Sequence, residues 1–131
     1  MIVVDTNILA YLYLPGDLTD NAEKLLQQEP EWAAPILWRS EFRNVLTGYL
    51  RRSCLTLNQA RAIQQEAESL MTGLEFEVDS TSMLGLVNDS DCSAYDCEFV
   101  VLAKQLSTVL LTMEKKLLQA FPEYTAPLTS W

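Results

Sequence analysis

The 131-residue chain contains no histidine. That absence excludes Ser-His-Asp and Cys-His catalysis and zinc bound through imidazole. The cysteines, Cys54, Cys92 and Cys97, are odd in number and lack CxxC spacing. They read as small apolar fillers rather than as a disulfide framework or a thiolate metal site. No run of about 18 or more apolar residues is present, so no membrane span is expected. The longest apolar run, Ile8 to Leu14, stops at Pro15-Gly16 and has neither the basic flank nor the cleavage site of a signal peptide. A cytoplasmic protein is the expectation. Positive charge is scarce too: nine Lys and Arg stand against 18 Asp and Glu, a net charge of -9 with a pI near 4.3. A general nucleic-acid binder usually shows a basic face, and this balance argues against one. It fits a basic partner, or a site that gathers acids around a metal. The chemistry left open runs on carboxylates, hydroxyls, amines or a metal held by oxygen.

What is present suffices for one core. The hydrophobic fraction is 49%, and no repeat, low-complexity segment or linker divides the chain, so residues 1–131 read as a single domain. Residues 2–4 read as a buried strand, and residues 7–14 as a short helix ended by Pro15. Asp20-Asn21-Ala22-Glu23 has the form of a capping box opening a helix to about Gln28. Trp32 to Pro35 reads as a second strand. Trp38, Phe42, Val45, Leu46, Tyr49 and Leu50 recur at helical spacing across 37–52. Thr56-x-x-Gln59 resembles a capping box for a helix to about Met71, with Gly73 as its stop. Phe76-Glu77-Val78 alternates like a strand, and Asp79 or Ser80 caps a helix carrying Met83, Leu84, Leu86 and Val87. A helix follows over 94–106, then the β-rich run 108–112, a helix over 114–121 and an edge strand within 124–128. Alternating strands and helices predict an α/β fold with a mostly parallel sheet and helices on both faces. Such sheets bind ligands beyond the carboxyl ends of their strands.

Four acids stand out by their surroundings. Asp5 follows the first strand. Glu41 lies between Trp38 and Val45, at the border of an apolar helical stripe. Asp96 precedes Phe99, Val100 and Ala103 at +3, +4 and +7, on the buried side of its helix. Glu114 follows the run TVLLT. Each also has a local explanation: Asp5 as a cap for the helix beginning near Asn7, Glu41 as a rim charge beside an arginine, Asp96 as part of a capping pattern from Ser93, and Glu114 as a favourable charge at a helix start. No local explanation accounts for several acids meeting at one end of a sheet. Carboxylates brought together raise one another's pKa, and a divalent cation relieves the repulsion. Mg²⁺ or Mn²⁺ suits hard oxygen ligands, and such a site activates water against a phosphodiester. Thr6, Asn7, Ser93 and Thr112 flank these acids as hydrogen-bonding partners or as helix caps. Arg39, Arg43, Arg51 and Arg52 place four of the nine positive charges within fourteen residues, and Lys115-Lys116 forms a smaller focus.

VVDTNILAYL at 3–12, SEFRNVL at 40–46, SAYDCEFVVLAKQL at 93–106 and LLTMEKKL at 110–117, in this order and at these separations, resemble the motifs of PIN-domain ribonucleases. In length and style the chain looks like the VapC-type toxins of toxin–antitoxin pairs. The resemblance covers almost the whole chain. It implies a three-layer α/β/α domain and a Mg²⁺- or Mn²⁺-dependent endoribonuclease leaving 5′-phosphate and 3′-hydroxyl ends. It matches the metal-holding acids to Asp5, Glu41 and Asp96. The family's fourth acid is usually Asp in a T-x-D block, whereas this chain has Thr112-Met113-Glu114, one methylene longer. Homodimers, and neutralisation by a VapB-type or similar antitoxin with a basic segment, are further implications. RNA would then meet local positive groups, with Arg39, Arg43, Lys115 and Lys116 as candidates. Two other readings stand beside this one. A PIN-like domain with an altered fourth acid can serve as a binding or assembly module. An aspartyl-phosphate phosphotransferase also ends a strand in Asp, but here Thr6-Asn7 follows that Asp, and Glu114 stands where a lysine is needed.

Overall fold

In the computed structural model, which describes residues 1–131, the strand β1 (Ile2–Val4) is the centre of the molecule. Ile2, Val3 and Val4 are each no more than 2% exposed, so both faces of this strand are covered. A parallel strand in that setting needs apolar residues at consecutive positions rather than alternation, which is what IVV supplies. The chain continues through α1 (Thr6–Tyr13), α2 (Thr19–Gln28), β2 (Trp32–Pro35), α3 (Trp38–Arg51) and α4 (Leu57–Leu70). It then forms β3 (Glu75–Phe76), α5 (Ser80–Asn88), α6 (Ala94–Gln105), β4 (Leu110–Leu111), α7 (Lys115–Ala120) and β5 (Thr125–Ala126), and closes on a 3-10 turn over Leu128–Ser130.

All four strand pairings are parallel, in the order β3-β2-β1-β4-β5. Val3 lies opposite Ala33 on one side and Leu110 on the other. The chain first builds outward through β2 and β3, then returns to add β4 and β5 on the opposite side of β1. The topological switch point therefore falls between β1 and β4. Helices α1 to α4 pack on one another as one layer, and α6 lies across β1, β2 and β4 with α5 beside it. The three-layer α/β/α arrangement expected from the sequence is the one observed, and the sheet is wholly parallel.

The buried face of α6 comes from Cys97, Phe99, Val100, Val101, Leu102 and Ala103. Cys97 is fully enclosed and Cys92 is 5% exposed, as expected of fillers, whereas Cys54 is exposed. The capping box at Thr56 is present: Thr56 Oγ1 accepts from the Gln59 backbone N–H, and Gln59 Oε1 accepts from the Thr56 N–H. Asp79 caps α5 by accepting the Ser82 N–H.

Other expected boundaries shift. The Asp20–Glu23 capping box does not form, because α2 begins at Thr19, two residues before the Asn21 start that the box requires, with Leu18 at the N-cap and no side-chain cap. The Thr19 hydroxyl instead accepts the Gly16 N–H and donates to the Tyr11 carbonyl, which closes the turn after α1. β3 is Glu75–Phe76 rather than 76–78, since its pairing with Ala34 and Pro35 fixes the register. β4 shrinks from 108–112 to Leu110–Leu111, where pairing with both β1 and β5 is complete. No helix is long and apolar enough to cross a membrane.

Candidate active site

The four acids singled out in the sequence line one cleft of about 240 Å³, together with Thr6, Asn7, Asn44 and Val45. The fold explains the convergence. Asp5 leaves the carboxyl end of β1, and Glu114 follows the end of β4 across the switch point, where a parallel sheet opens a crevice. The helical layer of α1 to α4 brings Glu41 from the first turn of α3, and α6 brings Asp96 from its own first turn.

Two threonines set the carboxylates. Thr112 Oγ1 donates to Asp5 Oδ2 at 2.8 Å, across the β1/β4 gap. Thr6 Oγ1 donates to Glu41 Oε1 at 2.7 Å, joining the start of α1 to α3. Both threonines are buried, at 0% and 4% exposure, so neither hydroxyl has water as an alternative partner. The Thr112 oxygen also accepts the Glu114 backbone N–H at 3.0 Å, tying the third position of the T-x-E block to the same hydroxyl.

The local explanations divide. Asp5 occupies the N-cap position of α1 but makes no cap hydrogen bond, because its side chain turns to Thr112. Thr6 and Asn7 do not take over the cap: the Thr6 hydroxyl goes to Glu41, and Asn7 is exposed on the cleft wall. Ser93 is a cap, accepting the Asp96 N–H at 3.1 Å, but the box is not reciprocal: the half-buried Asp96 carboxylate accepts no hydrogen bond from the protein. Glu114 sits exposed at the N-cap of α7, also without a cap bond.

The electrostatics are those of acids without a counter-charge. The ion pairs of the molecule are Met1–Glu29, Arg39–Glu68 and Arg39–Glu75, and none involves the cleft. Burial pushes the Asp5 carboxyl above its ordinary value. The Thr112 hydroxyl and the Thr6 backbone N–H oppose that rise, and the charges of Asp96 and Glu114 add to it. Glu41 is raised as well, by burial first, with the Thr6 hydroxyl opposing and Asp5, Asp96 and Glu98 reinforcing. Glu98, half-buried on α6, is raised by its own burial.

Donor chemistry fits a hard divalent cation: carboxylate oxygens, with hydroxyl and amide oxygens beside them. The cleft is open, however, and no three of the acid or thiol side chains converge tightly enough to form a closed metal cage. An ion that keeps several waters and takes only one or two carboxylates directly is compatible with such an opening.

The basic candidates do not share one fate. Arg39 is not a free cation. Its guanidinium forks onto both Glu75 oxygens, each at 2.6 Å, and its third nitrogen reaches Glu68 at 3.0 Å. Trp38 Nε1 donates to the same Glu75 at 2.7 Å. This network joins α3, β3 and α4. Arg43, Lys115 and Lys116 are exposed and form no ion pair, but no lysine or arginine lines the acid cleft. A larger, shallower hollow of about 650 Å³ at Tyr13, Glu66 and Leu70 holds a single carboxylate.

Sequence reasoning passed over Asn44, Tyr11 and Glu98. Asn44 follows Glu41 by three residues, a spacing that puts both on one helical face, so the signal was there. The Tyr11 hydroxyl is raised above its ordinary value by burial and then by Asp5 and Glu114, which places it beside the cleft. Glu98 had no such signal, because it lies on α6, far along the chain from Glu41, and only the fold brings its charge to bear on that carboxyl.

Fold and site together define an α/β domain with an acidic crevice at the switch point of a parallel sheet. The PIN domain model matches residues 2–121, and the chain belongs to that family. Ribonuclease VapC3 of Pyrobaculum aerophilum is similar at 26% identity over 129 residues, spanning 96% of this chain and 98% of that protein. Among solved structures, PAE2754 from Pyrobaculum aerophilum superposes with a TM-score of 0.77 at 18% identity, covering 98% of this chain and 84% of that one. A toxin–antitoxin complex from Klebsiella pneumoniae gives 0.70 at 18% identity, covering 98% of each chain. At these identities the structural likeness is one of fold.

Proposed function

We infer that this chain is a Mg²⁺- or Mn²⁺-dependent endoribonuclease of the VapC toxin type, held in check by a cognate antitoxin. The observation that carries this reading is the meeting of Asp5, Glu41, Asp96 and Glu114 in one cleft with no paired cation. Asp5, Glu41 and Asp96 would hold the metal, with Glu114 assisting. When bound, the ion would supply an activated water and offset phosphate charge.

The chain's own groups do the rest. Thr112 and Thr6 fix the orientation of Asp5 and Glu41, and each spends its hydroxyl proton on a carboxylate, which favours the ionised form as a ligand. Asn7 and Asn44 offer amide donors in a cleft otherwise lined by acceptors. The name of the similar VapC3 ribonuclease supports RNA as the substrate, and the toxin–antitoxin complex among the structural neighbours supports a protein partner. A net charge of -9 suits an antitoxin segment that is basic. A homodimer is part of the same reading.

The test is RNA cleavage with Mn²⁺, wild type beside Asp96→Asn, with product ends mapped. The expected result is cleavage by wild type that EDTA abolishes and that Asp96→Asn lacks while keeping its circular dichroism spectrum. Full activity in EDTA or in the variant overturns the mechanism. The spread of the carboxylates, too wide for a closed cage, favours the binding-module reading as the second choice. Absence of Mn²⁺ binding by calorimetry selects that module.

A further inference from the structure

A second concavity, of about 340 Å³, continues from the acid cleft along the seam between α1 and α3. The two share Asn7 and Val45. On α1 the row Asn7, Ala10, Tyr11, Leu14 follows helical spacing, and on α3 the row Glu41, Val45, Tyr49 does the same. Glu41 and Tyr49 are thus separated by about 12 Å along the helix axis. The far end is closed by Pro15, Gly16, Asp17 and Leu18, in the turn pinned by Thr19. Its volume falls at the small end of ligand pockets, about 300–1,000 Å³.

The lining distinguishes this groove from an ordinary apolar crease. Tyr11 and Tyr49 both contribute to it, and neither phenol makes a hydrogen bond within the protein. The Arg52 guanidinium stands over the Tyr49 ring, 4.9 Å from its centroid, so this ring already carries a cation on its face. Asp17 places one carboxylate at the closed end. Aromatic rings and an edge acceptor in the lining, with the Arg52 cation against the Tyr49 ring but outside the lining, reached directly from a cleft suited to a phosphodiester, match the parts of a nucleotide. Rings stack on bases, and a carboxylate accepts from an exocyclic amine. Arg52, beside the Tyr49 ring, is a positive group of the kind that the lining of the acid cleft lacks.

We propose that the α1/α3 groove is a nucleobase subsite, in which Tyr49 and Tyr11 hold the base of a nucleotide flanking the phosphodiester in the acid cleft. The proposal rests on the ribonuclease reading and names which part of a single-stranded RNA the chain grips. Tyr49 is a binding residue in this scheme and takes no part in bond cleavage.

The test uses Asp96→Asn protein, which binds without cutting, in Mg²⁺. The probes are a labelled, mixed-sequence single-stranded RNA of about ten residues, within the range such sites cover, and its counterpart without bases. Tyr49→Leu is expected to weaken binding of the normal probe by about 5- to 150-fold, the range of one lost base stack. On the abasic probe Tyr49→Leu should change nothing, and Tyr49→Phe should restore binding of the normal probe. In the active background Tyr49→Leu should raise KM and spare kcat. Equal losses on both probes, or no loss on either, overturn the subsite. If Tyr49→Leu leaves RNA binding intact and instead weakens capture of a co-expressed antitoxin, the groove takes a peptide and the proposal falls. Base-dependent coupling at Tyr49 in a chain that cleaves no RNA would uphold the subsite and defeat the nuclease reading. Cleavage without that coupling would do the reverse.

Discussion

Asp5 and Glu41 illustrate how one residue type can carry opposite stability effects in one molecule. Their folded pKa values lie above the ordinary 3.8 and 4.5, so the folded state holds more protons than the unfolded state just above those values. Their contribution to stability is therefore present in acid and is lost as pH rises through the raised pKa values. Glu75 behaves the other way. The Arg39 hydrogen bond holds it below 4.5 against some burial, with Trp38 assisting, so its contribution is present at neutral pH and is lost as pH falls through the lowered value. In metal-free protein, Asp5→Asn should thus melt at a higher temperature than wild type at neutral pH, with the difference closing near pH 4, as followed by thermal denaturation in EDTA. The amide oxygen can still accept from Thr112, so that bond is not forfeited. Adding Mn²⁺ should raise the wild-type melting temperature and leave Asp5→Asn nearly unmoved, since a ligand stabilises only the state that binds it. A variant less stable than wild type in EDTA would contradict this account of the cleft.

Helix α3 is the element on which site and scaffold meet. Its first turn presents Glu41 to the cleft while Trp38 and Arg39, on the neighbouring positions, are held by Glu75. Trp38 is completely buried, so losing its acceptor strands an indole N–H in the core. Glu75→Ala should lower unfolding free energy by about 1–3 kcal/mol or more, and Glu75→Gln by less, because the amide still offers an oxygen. An unchanged urea midpoint for Glu75→Ala would show the network to be idle. Helix α4 offers a simpler case. Its capping box at Thr56 and Gln59 satisfies two backbone donors, and Thr56→Ala should cost about 1 kcal/mol in the same assay.

At the scale of the whole molecule, charge decides how RNA would be approached on the proposed ribonuclease reading. With nine positive against 18 negative residues, the proposed RNA contact would depend on few cations. Each phosphate contact contributes a slope of about 0.7 in the log–log salt dependence for single strands. Charge reversal at Arg43 and at Lys116 should each weaken binding and lower that slope by about this amount. Arg39→Ala should instead reduce stability and leave the slope alone, since its charge is committed to Glu68 and Glu75. Salt titrations of binding by fluorescence anisotropy check all three, and an unchanged slope for Arg43 and Lys116 removes them from the RNA path.

The sequence by itself determined the class of fold and three corners of the cleft. IVV before Asp5, Trp38 and Phe42 around Glu41, and the buried stripe after Asp96 are local patterns, and local patterns report which face of an element is covered. They also located the capping box at Thr56, narrowed the α5 cap to Asp79 or Ser80, and offered Ser93 as a cap. What only the tertiary structure decided is how the pieces meet. The sheet order puts β4 beside β1, and that adjacency turns Thr112 into the partner of Asp5, 107 residues away. The packing of α1 on α3 makes Thr6 the partner of Glu41 rather than a helix cap. Arg39 reads as a free cation in sequence because Glu75, the residue that claims it, lies 36 positions on and arrives only when β3 pairs with β2. A hydrogen bond forms with whatever group folding delivers within about 3 Å. The sequence names the donors and acceptors, and strand order and helix packing choose which of them meet.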